Sequence, residues 1–159
     1  DEWSVAAIRL LIFTGCRLRE ILHLRWREVD LERGLLMLPD SKTGRRAVVL
    51  GAVAVEILRE LDRAGEFVIP GAGSNRPRAD LNRPWARVRA HAKLEDVRLH
   101  DLRHTFASVG AGSGLGLPII GKLLGHASVA TTQRYAHLAD DPLRRGADVI
   151  ANRIKSALG

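Results

Sequence analysis

Leu35-Leu36-Met37-Leu38-Pro39-Asp40-Ser41-Lys42-Thr43-Gly44-Arg45-Arg46-Ala47-Val48-Val49-Leu50 is the stretch that decides the fold class. Two short apolar runs, residues 35–38 and 47–50, flank a centre holding Pro, Asp, Ser and Gly, which is the chemistry of a β-hairpin turn. Residues 29–31 add a third strand beside it. Outward from the hairpin the period is helical. On the N-terminal side, Trp3, Ala7, Leu10 and Leu11 mark one helix face up to a break at Thr14-Gly15. Leu18, Ile21, Leu22 and Trp26 follow at i, i+3, i+4 and i+8 and predict a second helix. On the C-terminal side, residues 52–64 return to a helix with Val55, Leu58 and Leu61. Residues 70–84 are rich in Gly, Pro and polar side chains and read as a loop. A basic helix over 84–93 comes next, then one over 100–109 stopped by Gly110-Ala111-Gly112-Ser113-Gly114. Helices over 117–124 and 129–136 are separated by Gly125, the second capped by Ser128. Asp141 as N-cap and Pro142 at the first helical position open a last helix with Leu143, Ala147, Ile150, Ile154 and Leu158 on one face. The chain is therefore expected to be mostly α with a small antiparallel β-sheet (α+β), one domain over residues 1–159.

Composition narrows the function. The length of 159 residues fits one core, and 46% hydrophobic content folds without staples. Cys16 is the sole cysteine, so neither an internal disulfide nor a multi-cysteine metal site can form, and a reducing compartment suits it. No apolar run approaches the ~18 residues of a membrane span, and no signal peptide is recognisable. Of 25 Lys+Arg only Lys42, Lys93, Lys122 and Lys155 are lysine, and the formal charge is +7. That surplus points to a polyanion such as nucleic acid, for which the guanidinium fork is suited, or else serves solubility alone.

Two motifs fail on inspection. Gly116-Leu117-Pro118-Ile119-Ile120-Gly121-Lys122 starts like a phosphate-binding loop, but Leu123 stands where a Ser or Thr must hold magnesium, and no strand precedes it. His100-Asp101-Leu102-Arg103-His104 has two His at i, i+4 like a zinc protease. It lacks the general-base Glu, and no third ligand is evident. No metal or other cofactor is expected.

Three segments survive together: Thr14-Gly15-Cys16-Arg17-Leu18-Arg19-Glu20, the pair His100 and Arg103, and Leu123-Leu124-Gly125-His126 followed by Tyr135, the sole tyrosine, nine residues beyond His126. In this order and spacing, with the hairpin lysine between them, the chain resembles the catalytic domain of the tyrosine recombinase (phage integrase) family. The resemblance covers nearly the whole chain and implies a fold like that of type IB topoisomerases. It places the active site on Arg17, Lys42, His100, Arg103, His126 and Tyr135, with Glu20 a structural partner for a buried arginine. It implies site-specific cleavage and rejoining of DNA through a 3′-phosphotyrosine, a homotetramer on synapsed double-stranded DNA, and a cytoplasmic protein encoded by a bacterium or phage. It also implies an N-terminal core-binding domain, expected to be absent from this chain. The 159 residues alone are then expected to be monomeric or swapped through the last helix.

The residue types suit that chemistry in their own right. Phosphodiester cleavage needs a nucleophile, neutralisation of an anionic phosphorane, and a proton for the leaving oxygen. A phenol of pKa ~10 leaves on resealing far more readily than an aliphatic alcohol. Arg17 and Arg103 can each present N–H donors to non-bridging oxygens, the electrostatic work that dominates phosphoryl transfer. His100 can take or orient the phenol proton, His126 can donate to the phosphate, and Lys42 can protonate the leaving oxygen. Local basic density adds Arg19, Arg45, Arg46, Arg76, Arg78, Arg83, Arg87 and Arg89 as phosphate contacts. Two rivals stand. One is a non-catalytic helix-turn-helix module built on 117–124 and 129–135; the other is topoisomerase-like strand relaxation. Arg17 could also merely pair with Glu20 or Glu28, and Arg103 with Asp101.

Overall fold

Helix α1 (Glu2–Thr14) is the element round which the others pack. The computed structural model describes residues 1–40, 44–113, 115, 117–125 and 142–159. Ala6, Ala7, Leu10, Leu11 and Phe13 of α1 are buried, and the two alanines keep that face thin enough for several helices to approach. Asp1 caps the start by accepting from the Ser4 amide at 2.8 Å. Gly15 ends the helix in the left-handed region at φ 65°, with its amide on the Leu11 carbonyl at 3.1 Å.

The hairpin forms as expected. Strands β1 (Val29–Asp30), β2 (Leu35–Asp40) and β3 (Gly44–Val49) make one antiparallel sheet in that order. The register runs from Leu35 opposite Val49 to Asp40 opposite Gly44. Leu36, Leu38 and Val48 lie on one buried face, and Arg46 stands directly across from Leu38. Helix α3 (Ala52–Glu60) then covers α1, and the last helix, α7 (Pro142–Leu158), lies against α1, α3, α5 (Asp101–Gly112) and α6 (Leu117–Leu124) of its own chain. Its buried Leu143, Ile150 and Ile154 contribute roughly 1.5–3 kcal/mol each to that packing. Arg144 fastens its start to the hairpin base by donating to the carbonyls of Leu50, at 3.2 Å, and Arg33.

Several expectations shift. The second helix, α2 (Leu18–Leu22), stops four residues before Trp26. Residues beyond it leave the helix because they pair elsewhere: the Val68 amide donates to the Leu24 carbonyl at 2.9 Å and the Trp26 amide to that of Glu66 at 3.0 Å. Trp26–Glu28 is a single 3₁₀ turn. Helix α3 ends at Glu60 rather than 64, since Leu61 is extended and Arg63 instead lies over the Trp26 ring at 4.7 Å. The stretch expected to be a loop contains a two-stranded ribbon, β4 (Pro70–Gly71) with β5 (Gly73–Pro77). Its Gly and Pro content hides a strand from any reading by propensity. Helix α4 (Asn82–Ala92) begins two residues early, with Pro84 inside its first turn. Helix α5 runs through Gly110 instead of stopping there. That glycine serves close packing: a Cβ on it would sit 3.1 Å from Ile150 and 3.3 Å from Ile120. No described helix is long and apolar enough to cross a membrane.

Candidate active site

The turn between α1 and α2 is shaped by its own residues. Thr14 Oγ1 donates to the Leu10 carbonyl at 2.6 Å and accepts from the Cys16 amide at 3.2 Å, which steers the chain out of the helix. Gly15 is required twice over: its φ is left-handed, and a Cβ there would stand 2.7 Å from Phe106 of α5 and 2.8 Å from Leu124 of α6. Cys16 is buried beneath the turn, and burial, then the nearby Glu20 carboxylate, push its thiol up to about 11. Arg17 emerges as the residue before α2, with a side chain 54% exposed.

Arginines from three separate elements converge here. Glu20 accepts from the Arg17 amide at 2.6 Å with Oε2, and from Arg17 Nη1 at 3.0 Å with Oε1; that same Oε1 accepts from Arg46 Nη1. Arg46 Nη2 continues to the Leu124 carbonyl at 2.9 Å. Arg103, from α5, donates from Nη2 to that same carbonyl at 2.8 Å and from Nη1 to the Gly15 carbonyl at 2.5 Å. Both carbonyls belong to helix C-termini, of α1 and α6, where partial negative charge collects and intrahelical donors run out. Cations therefore suit them. Arg103 is 6% exposed. Burial, then repulsion from Arg17 and Arg46, hold its pKa below the ordinary guanidinium value, so these three charges sense one another.

His100 is the residue preceding α5 and is exposed. Its ring meets that of His104 edge to face, with centroids 5.0 Å apart. Asp101 does not pair with Arg103. It accepts from the Arg98 amide at 2.7 Å and from Arg98 Nη2 at 3.0 Å, and this guanidinium holds its carboxyl below the usual carboxylate range. Of the pairings weighed from sequence, Arg17 with Glu20 is present. Lys42, His126 and Tyr135 lie outside the described residues, as do the side chain of Arg45 and the expected helix over 129–136. Among the described residues no group of three or more His, Cys, Asp and Glu could hold a metal ion.

The remaining arginines divide by place. Arg19, Arg76, Arg83 and Arg87 are exposed. Arg76, Arg78 and Arg83 line an open groove of about 890 Å³ between the start of α1 and the β4–β5 ribbon, and there Arg78 pairs with Asp1 at 2.7 Å. Arg89 donates to the Glu95 carbonyl at 2.8 Å. Among the described members of this set, Arg46 is the one that is buried, 8% exposed and committed to Glu20 and Leu124. Local basic density groups it with surface phosphate contacts because such density carries no information on burial. The usable signal was strand register: position 46 faces the same side as the buried Leu38.

The sequence profile of the phage integrase family matches residues 1–141. Tyrosine recombinase XerC of Xanthomonas axonopodis pv. citri is 37% identical over 140 residues, which cover 84% of this chain and 46% of that protein. The integrase of mycobacterium phage Brujita shares the fold, with a TM-score of 0.74 at 23% identity over 94% of this chain and 52% of the other. The crystal structure of XerA recombinase aligns with a TM-score of 0.62 at 31% identity, over 91% of this chain and 55% of that one. The chain spans about half the length of the curated relatives it matches.

Proposed function

Since this chain belongs to the phage integrase family, we propose that residues 1–159 are the catalytic domain of a tyrosine recombinase. It cleaves and rejoins double-stranded DNA at defined sites through a 3′-phosphotyrosine, without a metal. The observation that carries this reading is the convergence of Arg17 and Arg103, from the turn after α1 and from α5, around Glu20 and two helix-end carbonyls. A pair of guanidiniums held beside one another is an arrangement for a crowded oxyanion.

In this reading Tyr135 Oη attacks the scissile phosphorus, and His100 accepts its proton. Negative charge builds on the non-bridging oxygens, where Arg17 and Arg103 donate and His126 adds a hydrogen bond. The bond to the 5′-oxygen breaks, and Lys42 protonates that oxygen to give a free 5′-hydroxyl. The phosphotyrosine keeps the energy of the broken bond, so attack by a 5′-hydroxyl reseals the strand with no ATP. Arg76, Arg78 and Arg83, from the groove, and Arg19, Arg45, Arg87 and Arg89 supply backbone contacts, making DNA affinity fall steeply with salt. Synapsis by four protomers and a DNA-clamping domain in the whole protein complete recombination at a specific site in the cytoplasm of a bacterium.

A nicked suicide DNA that traps the cleaved strand tests this directly. The wild-type chain is expected to give an adduct that survives denaturation, and Tyr135→Phe none. An equal signal from both, or none from the wild type, overturns the reading.

A further inference from the structure

We infer that Arg46 is a positioning residue for strand cleavage: by neutralising Glu20 from the inner side, it keeps the fork of Arg17 available to phosphate. This rests on the function proposed above. Glu20 Oε1 lies between two guanidiniums, one buried and one on the rim. Arg46 has a side chain 9% exposed, Arg17 one 54% exposed. A carboxylate this enclosed, 18% exposed, costs free energy if left without a counter-charge. When Arg17 turns to a phosphate, Glu20 loses that partner. Arg46 is placed to remain and carry the compensation.

Two further features hold Arg46 to this task. Its Nη2 is tied to the Leu124 carbonyl, so it cannot swing out with Arg17. Gly125, at φ 70°, leaves the room its guanidinium fills: a Cβ there would collide with Arg46 Nε and Cζ. Because Arg103 shares the Leu124 carbonyl, Arg46 also fixes the acceptor that orients Arg103. One inward arginine on β3 thus supports both phosphate-binding arginines without touching DNA itself. Its removal leaves Glu20 with Arg17 as its side-chain partner, and the carboxylate then competes with substrate for that fork.

The test is single-turnover adduct formation on the nicked suicide DNA over a range of DNA concentrations. It compares wild type, Arg46→Gln, Glu20→Gln and the double variant, each with its unfolding curve. Arg46→Gln is expected to slow the rate at saturating DNA by about tenfold to hundredfold, the scale of a misplaced catalytic group, with little change in DNA affinity. Adding Glu20→Gln is expected to restore part of that rate, because a neutral amide no longer holds Arg17. A purely structural role for Arg46 predicts no such recovery. An Arg46→Gln rate equal to wild type, or a double variant no faster than Arg46→Gln, overturns the inference. Should Arg46→Gln fail to fold, the double variant is compared with Glu20→Gln, both lacking the charge that needs balancing. Rates within about threefold support the inference, and a loss of about tenfold or more overturns it. A wild-type chain that gives no adduct overturns the strand-cleavage reading and this inference with it.

Discussion

Two layers of one site obey different rules. The inner layer, Gly15, Cys16, Arg46, Arg103 and Leu124, is buried, and its cations are tied to backbone carbonyls and a shared carboxylate. The outer layer, Arg17, His100, Asp101 and His104, is open to solvent to differing degrees and paired locally or ring to ring. The same guanidinium is therefore held by buried backbone acceptors in one layer and paired at a solvent-facing surface in the other. Burial decides which: an inward cation that loses its place strands its acceptors, whereas an outward one exchanges protein partners for water or phosphate.

The widest separation of the layers is expected from removing each arginine in turn. Arg103→Met should lose roughly 3–5 kcal/mol of stability in urea unfolding, as for other buried charged networks, together with all adduct formation. Arg17→Met should abolish the adduct equally yet change stability by no more than about 1 kcal/mol, since its pair with Glu20 is exposed on one side. Equal destabilisation by both would erase the distinction. Next in size comes Gly15→Ala, which forces a Cβ against Phe106 and Leu124 at a left-handed φ and should cost about 1–3 kcal/mol by the same measurement.

Smaller effects lie in titration. The Cys16 thiol, raised to about 11, stays protonated in the folded chain while the unfolded chain ionises at a lower pH. Its contribution to stability is thus complete below the ordinary thiol pKa and is lost as pH climbs towards 11. Cys16→Ala should flatten that alkaline fall in unfolding experiments, and native Cys16 should resist iodoacetamide at pH 8 until denaturant is added. The outer layer behaves in the opposite sense and more weakly. Asp101, held low by Arg98, contributes above its ordinary pKa, and that contribution fades as pH falls through its depressed value. Asp101→Asn should make the acid side of a melting-temperature profile shallower, the least of these changes.

How much of this could be read beforehand differs between elements. The hairpin was legible because two β-rich runs round a Pro-Asp-Ser-Lys-Thr-Gly centre leave few alternatives. The turn at Thr14-Gly15 was legible because glycine after a helical face is a stop signal. The β4–β5 ribbon was not, since its strands are made of the residues that usually mark loops. Helix α2 is shorter than its apolar period suggests because the pairing of residues 24–26 with 66–68 is non-local, and no window of sequence contains it. Asp101 is close to Arg103 in sequence, but it pairs with Arg98 on the outer side while Arg103 points inward to the Gly15 and Leu124 carbonyls.

Residue order by itself determined the fold class and the family, and it nominated the arginines, histidines, lysine and tyrosine proposed for the chemistry. Those are properties of side-chain type and spacing, which sequence carries in full. Only the tertiary structure decided which arginines are tied to backbone carbonyls in the core, Arg46 and Arg103, and which, like Arg17, reach solvent. That choice turns on the carbonyls of Gly15 and Leu124, acceptors on a backbone that is alike at every position, and on distances closed between residues 88 and 78 positions apart.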